Sequence, residues 1–263
     1  MKSIKAKKLT KRFDEVVAVN AANFKILPGK VTGFLGPNGA GKTTLFHLIT
    51  GDLKPDSGTI SIYDEINKSE IHLNKQKRYE TAIAGIGKLY QDIKTFDNLS
   101  VIDNIVVGLY SEKEKNPFWI FSHLKSIKSI RKEYEQKAIS ALKFVGLYDE
   151  LGDQIFKKKA KELSYGQQKL LSFARIMEKD FDVLLLDEPT AGVNEFLVRR
   201  IEDFIKAMVK SQKTVAVIEH NIKVLEKIAD FIYFMEDGRI EFSGTADHIL
   251  NNEEIRKRYI GIE

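Results

Sequence analysis

The 263-residue chain contains no cysteine. That excludes a disulfide framework and any cysteine-ligated metal centre, and makes a reducing compartment the simplest setting. Also missing is any apolar run near the roughly 20 residues that cross a bilayer. The start, MKSIKAKKLTKRF, lacks the apolar stretch of a signal peptide. The expectation is a soluble, intracellular protein. Any large excess of one charge is missing too, with 42 Lys and Arg against 37 Asp and Glu for a net +5. Small basic clusters at Lys7-Lys8, Lys11-Arg12 and Lys157-Lys158-Lys159 read as solvated faces, with acidic lipid or nucleic acid as the alternative. What is present is 43% apolar and 30% charged residue content. That is enough to bury one large core or two modest ones, and it is read as one compact α/β unit with an inserted subdomain.

Residues 31 to 51, VTGFLGPNGAGKTTLFHLITG, pass from an apolar run through a Gly-rich turn into a helical pattern with Leu45, Leu48 and Ile49 on one face. The turn, Gly36-Pro37-Asn38-Gly39-Ala40-Gly41-Lys42-Thr43 followed by Thr44, fits G-x-x-x-x-G-K-[ST] in the strand-loop-helix setting that the motif requires. Glycine permits backbone conformations closed to other residues, so successive N–H groups can converge on phosphate oxygens at a helix N-terminus. Lys42 would then reach the β- and γ-phosphates and the Thr43 hydroxyl would ligate Mg2+.

A second run, FDVLLLDEPTAG, has Val183 to Leu186 as a strand buried on both faces and stopped by Pro189. Asp187 and Glu188 follow at its carboxyl end, where open α/β sheets bind ligands. Adjacent strand residues point to opposite faces, so the two have separate tasks: Asp187 is assigned to Mg2+ through its water shell and Glu188 to polarising the attacking water. A third strand, Thr214 to His220, ends in His220, read as a γ-phosphate contact rather than a structural hydrogen-bonder. Gln91, in GKLYQDI, could ligate the metal through its amide oxygen and respond to the γ-phosphate, although one Gln alone carries no signal.

The stretch LSYGQQKLLSFARIM, Leu163 to Met177, opens with Ser164 and Gln167 at capping-box spacing and continues with Leu170, Leu171, Ala174 and Met177 as a buried stripe. Gly166 is what a capped helix fails to explain. Glycine there costs about 1 kcal/mol relative to alanine, and no acid in the first turn balances the helix dipole. Both features suit a helix end that admits an anion.

Taken in order, the phosphate loop, Gln91, LSYGQ, LLLDEP and His220 resemble the nucleotide-binding subunit of ATP-binding cassette (ABC) transporters over nearly the whole chain, LSYGQ being close to that family's LSGGQ signature. No NKxD-type guanine-reading motif and no long heptad array is found. The resemblance implies an α/β phosphate-loop NTPase (RecA-like) core with an antiparallel β subdomain, residues 1–91 and 163–263. It also implies an inserted α-helical subdomain, 92–162, that meets the membrane partner. Phe13 matches the position that stacks on adenine, with a core Phe as the alternative reading. Asn194 occupies the D-loop, AGVN, without the charge many members carry there. Ser164, Tyr165, Gly166 and Gln167 would complete a neighbouring subunit's site in trans, Tyr165 turning outward. ATP and Mg2+ are the implied cofactors.

Partners implied are a second ATPase, identical or paralogous, integral membrane permeases and an extracytoplasmic solute-binding protein, with no nucleic acid. The implied place is peripheral, on the cytoplasmic face of the cell membrane. LSYGQQ, AGVN, the extended segment around residues 111 to 133 and the ending RKRYIG look most like ATPases of branched-chain amino-acid importers. Relatives serving urea, short amides or lipopolysaccharide export are near neighbours. A soluble cassette ATPase serving nucleic acid, translation or cofactor assembly is the alternative. A module that never hydrolyses is disfavoured by Lys42, Glu188 and His220 together. Leu124, Ile127, Arg131, Tyr134, Ala138, Leu142 and Val145 mark a long helix with a mainly apolar face. The aromatic segment 117–121 before it reads as local packing or as a partner contact. Asp237-Gly238 reads as a hairpin turn, with no appended regulatory domain expected after it.

Overall fold

The structure, a computed structural model of the chain, describes residues 1–110, 124–179 and 181–255. The aromatic segment 117–121 and the ending RKRYIG lie outside them. The chain divides into two units, Met1–Gln91 with Phe181–Glu263, and Asp92–Asp180.

The first unit is built on strands β1 (Lys2–Phe13), β2 (Val16–Ile26), β3 (Val31–Leu35), β4 (Ser57–Asp64), β5 (Ser69–His72), β6 (Ile86–Leu89), β7 (Val183–Asp187), β8 (Thr214–Ile218), β9 (Phe231–Glu236) and β10 (Arg239–Thr245). One sheet has the order β10-β9-β3-β8-β7-β6. Its strands run parallel from β6 to β9, and β10 is antiparallel at the edge. β3, β7 and β8 are buried at every position, as expected of continuous apolar runs covered on both faces. Asp237 and Gly238, at φ 45 and 77, form the predicted turn between β9 and β10.

The other sheet, β2-β1-β4-β5, is antiparallel. Its inward face alternates through Ile4 and Ala6, then slips to Leu9. Lys8 causes the slip: it sits at φ 48 where the register with β2 and β4 shifts, a bulge that restores Leu9 to the core. An aromatic cluster joins the two sheets. The Phe34 ring of β3 meets Phe24 of β2 edge-on at 5.7 Å, Phe46 at 5.8 Å and Tyr233 of β9 stacked at 5.5 Å. The Tyr233 hydroxyl accepts from the Lys25 N–H at 2.9 Å, so the stack is also hydrogen-bonded across the sheets. Because Phe46 belongs to the helix Lys42–Ile49, this packing fixes the element that carries the phosphate loop. A second core, with Leu35, Ile232 and Phe234, is covered by the helices Ile222–Ile228 and Ala246–Leu250.

The second unit is helical: Val101–Leu109, Leu124–Phe144, Leu147–Leu151 and Tyr165–Met177, with 3-10 turns at Gly152–Phe156 and Ala160–Glu162. The described segment from Leu163 to Lys179 thus falls within this unit, which extends beyond Glu162. On the long helix the predicted stripe buries Ala138, Leu142 and, just past its end, Val145. Arg131 on that stripe pairs instead with Asp103 at 2.9 Å and Glu135 at 2.8 Å. The buried Asn104 side chain accepts from the Phe96 N–H and donates to the Phe96, Leu99 and Ser100 carbonyls, pinning the loop before the first helix.

Candidate active site

β3 delivers the chain to Gly36, at φ 151, where a Cβ would lie 2.0 Å from the Met235 carbonyl oxygen of β9. The loop then turns through Gly39 and Gly41, both left-handed. Gly41 is the N-cap of the helix Lys42–Ile49, with no side-chain cap and no acid in the first turn. That leaves the helix N-terminus to an anion. A hollow of about 160 Å³ opens here, lined by Ala18, Asn38, Gly39, Ala40, Gly41, Lys42, Thr43, Thr44 and Glu188.

Lys42 is 5% exposed, and its Nζ donates to the Gly36 and Pro37 carbonyls at 2.8 Å each. Burial lowers its pKa from 10.5 to about 8, against the opposing pull of the Glu188 and Asp187 carboxylates. A buried ammonium whose hydrogen bonds go to neutral carbonyls gains from an added countercharge, which a polyphosphate supplies.

Asp187 is the last residue of β7 and Glu188 lies just beyond it, and the two carboxylates have different partners. Asp187 is buried and accepts from Thr43 Oγ1 at 3.4 Å. On its other oxygen stands Lys88 Nζ of β6 at 3.6 Å, both side chains only 3% exposed. Burial raises the Asp187 pKa while Lys88 holds it down, and burial lowers that of Lys88 while Asp187 holds it up. Lys88 also lies 4.7 Å from the Tyr90 ring centre.

Glu188 leaves the strand at φ 48. Its Oε2 accepts from Gln91 Nε2 at 2.9 Å, and its Oε1 lies 2.7 Å from His220 Nε2. Three residues from three strand ends therefore meet beside the hollow. The sheet order explains it: β6, which leads to Gln91, and β8, which leads to His220, flank β7.

The hydroxyl of Thr43 and the carboxylate of Asp187 stand together as hard oxygen donors, while the contact seen for Gln91, the third residue assigned to the metal, is from its amide nitrogen to Glu188. Among the described residues no group of three or more His, Asp or Glu gathers as a metal cage. Mg2+ is commonly held by one carboxylate together with substrate phosphates, which this donor set fits.

Phe13 is 43% exposed at the end of β1, so it is not a core residue. Asn194 caps the helix Glu195–Lys210, accepting from the Leu197 N–H at 3.0 Å. In the second unit Ser164 and Gln167 form the predicted capping box: the Ser164 hydroxyl accepts from the Gln167 N–H at 3.3 Å and Gln167 Oε1 from the Ser164 N–H at 3.1 Å. Tyr165 turns outward at 51% exposure. Two residues with a bearing on the site were not singled out from sequence: Lys88, signalled only by a charge inside the run IGKL, and Glu219, which precedes His220.

The family model described as ABC transporter matches residues 19–191. The high-affinity branched-chain amino acid transport ATP-binding protein LivG of Escherichia coli (strain K12) is 31% identical, over 96% of this chain and 95% of that protein. The probable branched-chain amino acid transport ATP-binding protein LivG of Archaeoglobus fulgidus is 30% identical, over 100% and 97%. Among solved structures, the ADP conformation of MJ1267, an ATP-binding cassette of an ABC transporter, aligns with 28% identity over the whole of both chains and a TM-score of 0.78. Among the described residues no helix is long and apolar enough to cross a membrane.

Proposed function

The chain belongs to the ABC transporter family and is its ATP-hydrolysing subunit, and from that premise we propose that it drives import of branched-chain amino acids or similar small polar solutes. The full-length likeness to LivG proteins supports that substrate class. In the proposed site Phe13 stacks on adenine, and the loop Gly36–Thr44 with Lys42 holds the phosphates. Thr43, Asp187 and Gln91 would hold Mg2+, which when bound screens the phosphate charge. Glu188 takes the proton of the attacking water, and Gln91 and His220 read the γ-phosphate.

The carrying observation is the convergence of Gln91, Glu188 and His220 at 2.9 and 2.7 Å beside the phosphate-loop hollow. Two copies, or this chain and a paralogue, would enclose two ATP molecules, each site finished by Ser164 and Gly166 of the partner subunit. The γ-phosphate is then the contact that favours the closed dimer, and hydrolysis removes it. The helical unit would pass the motion to a permease at the cytoplasmic membrane face, with an extracytoplasmic solute-binding protein delivering the cargo.

Glu188→Gln tests the assignment. The variant should bind ATP and accumulate as a dimer on size exclusion, with turnover down about a hundredfold or more, the range expected for loss of a general base. Near-wild-type hydrolysis would remove Glu188 from that role. Co-purification from native membranes tests the setting: integral membrane permeases should accompany the chain, and RNA in their place would contradict transport.

A further inference from the structure

Glu219 stands immediately before His220, yet its side chain turns inward and is only 3% exposed. Its Oε1 accepts from the Thr190 N–H at 2.8 Å and from Thr190 Oγ1 at 2.5 Å. Its Oε2 accepts from the N–H groups of His220 at 3.0 Å and Asn221 at 3.2 Å. An ionised carboxylate has about four acceptor sites and no donor, so the group is matched to the four donors around it. Those donors belong to two different turns, one leaving β7 through Glu188-Pro189-Thr190 and one leaving β8 through His220-Asn221.

We infer that Glu219 is a positioning residue that staples these turns and thereby sets Glu188 against His220. The ladder between β7 and β8 ends at Asp187 and Ile218, with one further link from the Glu188 N–H to the Ile218 carbonyl at 2.9 Å. Pro189 has no N–H to continue it. Beyond that point the Glu219 carboxylate ties the turns. Glu188 also needs holding, because a non-glycine residue at φ 48 persists only where its surroundings impose the conformation. Anchoring Thr190, two residues on, fixes the chain just past the strained position. Anchoring the His220 N–H fixes the other member of the 2.7 Å contact.

The inference rests on the proposed roles of Glu188 and His220. Glu219→Gln would turn an NH2 toward either the His220 and Asn221 N–H groups or the Thr190 N–H and so open one side of the staple. Valine at 190 would remove only the hydroxyl arm. In the full chain, Glu219→Gln and Thr190→Val should lower kcat for ATP about tenfold or more, with KM for ATP and affinity for ADP within about twofold, since the phosphate loop is untouched. Thr190→Ser, which keeps the oxygen, should restore kcat. Rates are counted per ADP-binding molecule, so a loss of folded protein alone leaves kcat unmoved. The double variant should lose no more than Glu219→Gln, because the two act through one contact. If Glu219→Gln does not fold, Thr190→Val against Thr190→Ser decides the matter. A kcat near wild type in the folded variants overturns the staple. Glu188→Gln is assayed beside them: if it too keeps turnover, the underlying reading fails with the inference, and if it alone loses turnover, only the staple fails.

Discussion

At Ser164 two tasks meet in one hydroxyl, and they can be separated. The side chain caps the helix Tyr165–Met177 in the capping box with Gln167, and on the proposed reading it also faces a phosphate held by another subunit. Ser164→Ala removes the cap and should cost about 1 kcal/mol of stability, read as a lowered midpoint in thermal unfolding. Ser164→Asp keeps a capping oxygen, so the midpoint should hold or rise, but it sets a negative charge where the anion must come. Hydrolysis should therefore fail in the more stable of the two variants. Wild-type turnover in Ser164→Asp would leave the hydroxyl as a cap only. Gly166 sharpens the point. It lies inside the helix without a positive φ, so the backbone makes no demand for glycine there. Gly166→Asp should fold and bind ATP, yet lose ATP-driven dimerisation and hydrolysis; full activity would return the stretch to an ordinary capped helix.

Among the elements, the loop between β3 and the helix Lys42–Ile49 shows which glycines the fold itself requires. Gly41 is at φ 95, and a Cβ there would stand 2.0 Å from the Ala18 carbonyl oxygen of β2. Gly39 is at φ 82, with nothing within 4 Å of its Cβ position. Gly39→Ala should therefore cost only the left-handed penalty, about 1–2 kcal/mol. Gly41→Ala adds a backbone collision and should cost clearly more. Thermal unfolding without nucleotide measures both, and the reverse order would mean that the loop relaxes away from Ala18.

These elements also show what a sequence can disclose. The strand ends at Asp187, Glu188 and His220 were legible because apolar runs that stop in polar residues mark the ligand edge of a parallel sheet. The capping box was legible because its partners are three residues apart. Lys88 and Glu219 were not, since their meaning depends on β6 and β8 both lying beside β7, an order that no local pattern encodes. Nor does local pattern reveal the left-handed turn at Glu188, because nothing in DEP requires it. The stripe of the helix Tyr165–Met177 predicts burial but not the unit that buries it.

For the whole molecule, the proposed arrangement divides each catalytic centre between two chains, and a two-fold dimer makes the division reciprocal. One chain would supply Lys42 and Glu188 from its first unit, and its partner Ser164 and Gly166 from its second. Lys42→Ala should abolish hydrolysis by removing the phosphate-loop amine, and Gly166→Asp by closing the anion site. Each variant alone then has two defective centres per dimer. In a mixed dimer both lesions fall in the same centre, and the other joins an intact phosphate loop to an intact signature. If subunits exchange freely, half of the dimers are mixed and each has one sound site of two, so equal mixing should restore about a quarter of the wild-type rate. Steady-state hydrolysis of the two variants, apart and mixed, is the measurement. Recovery requires that Gly166 act on a nucleotide bound by another chain, because a defect confined to its own chain could not be rescued by a partner whose phosphate loop is broken. A mixture no more active than its components would sink the shared site.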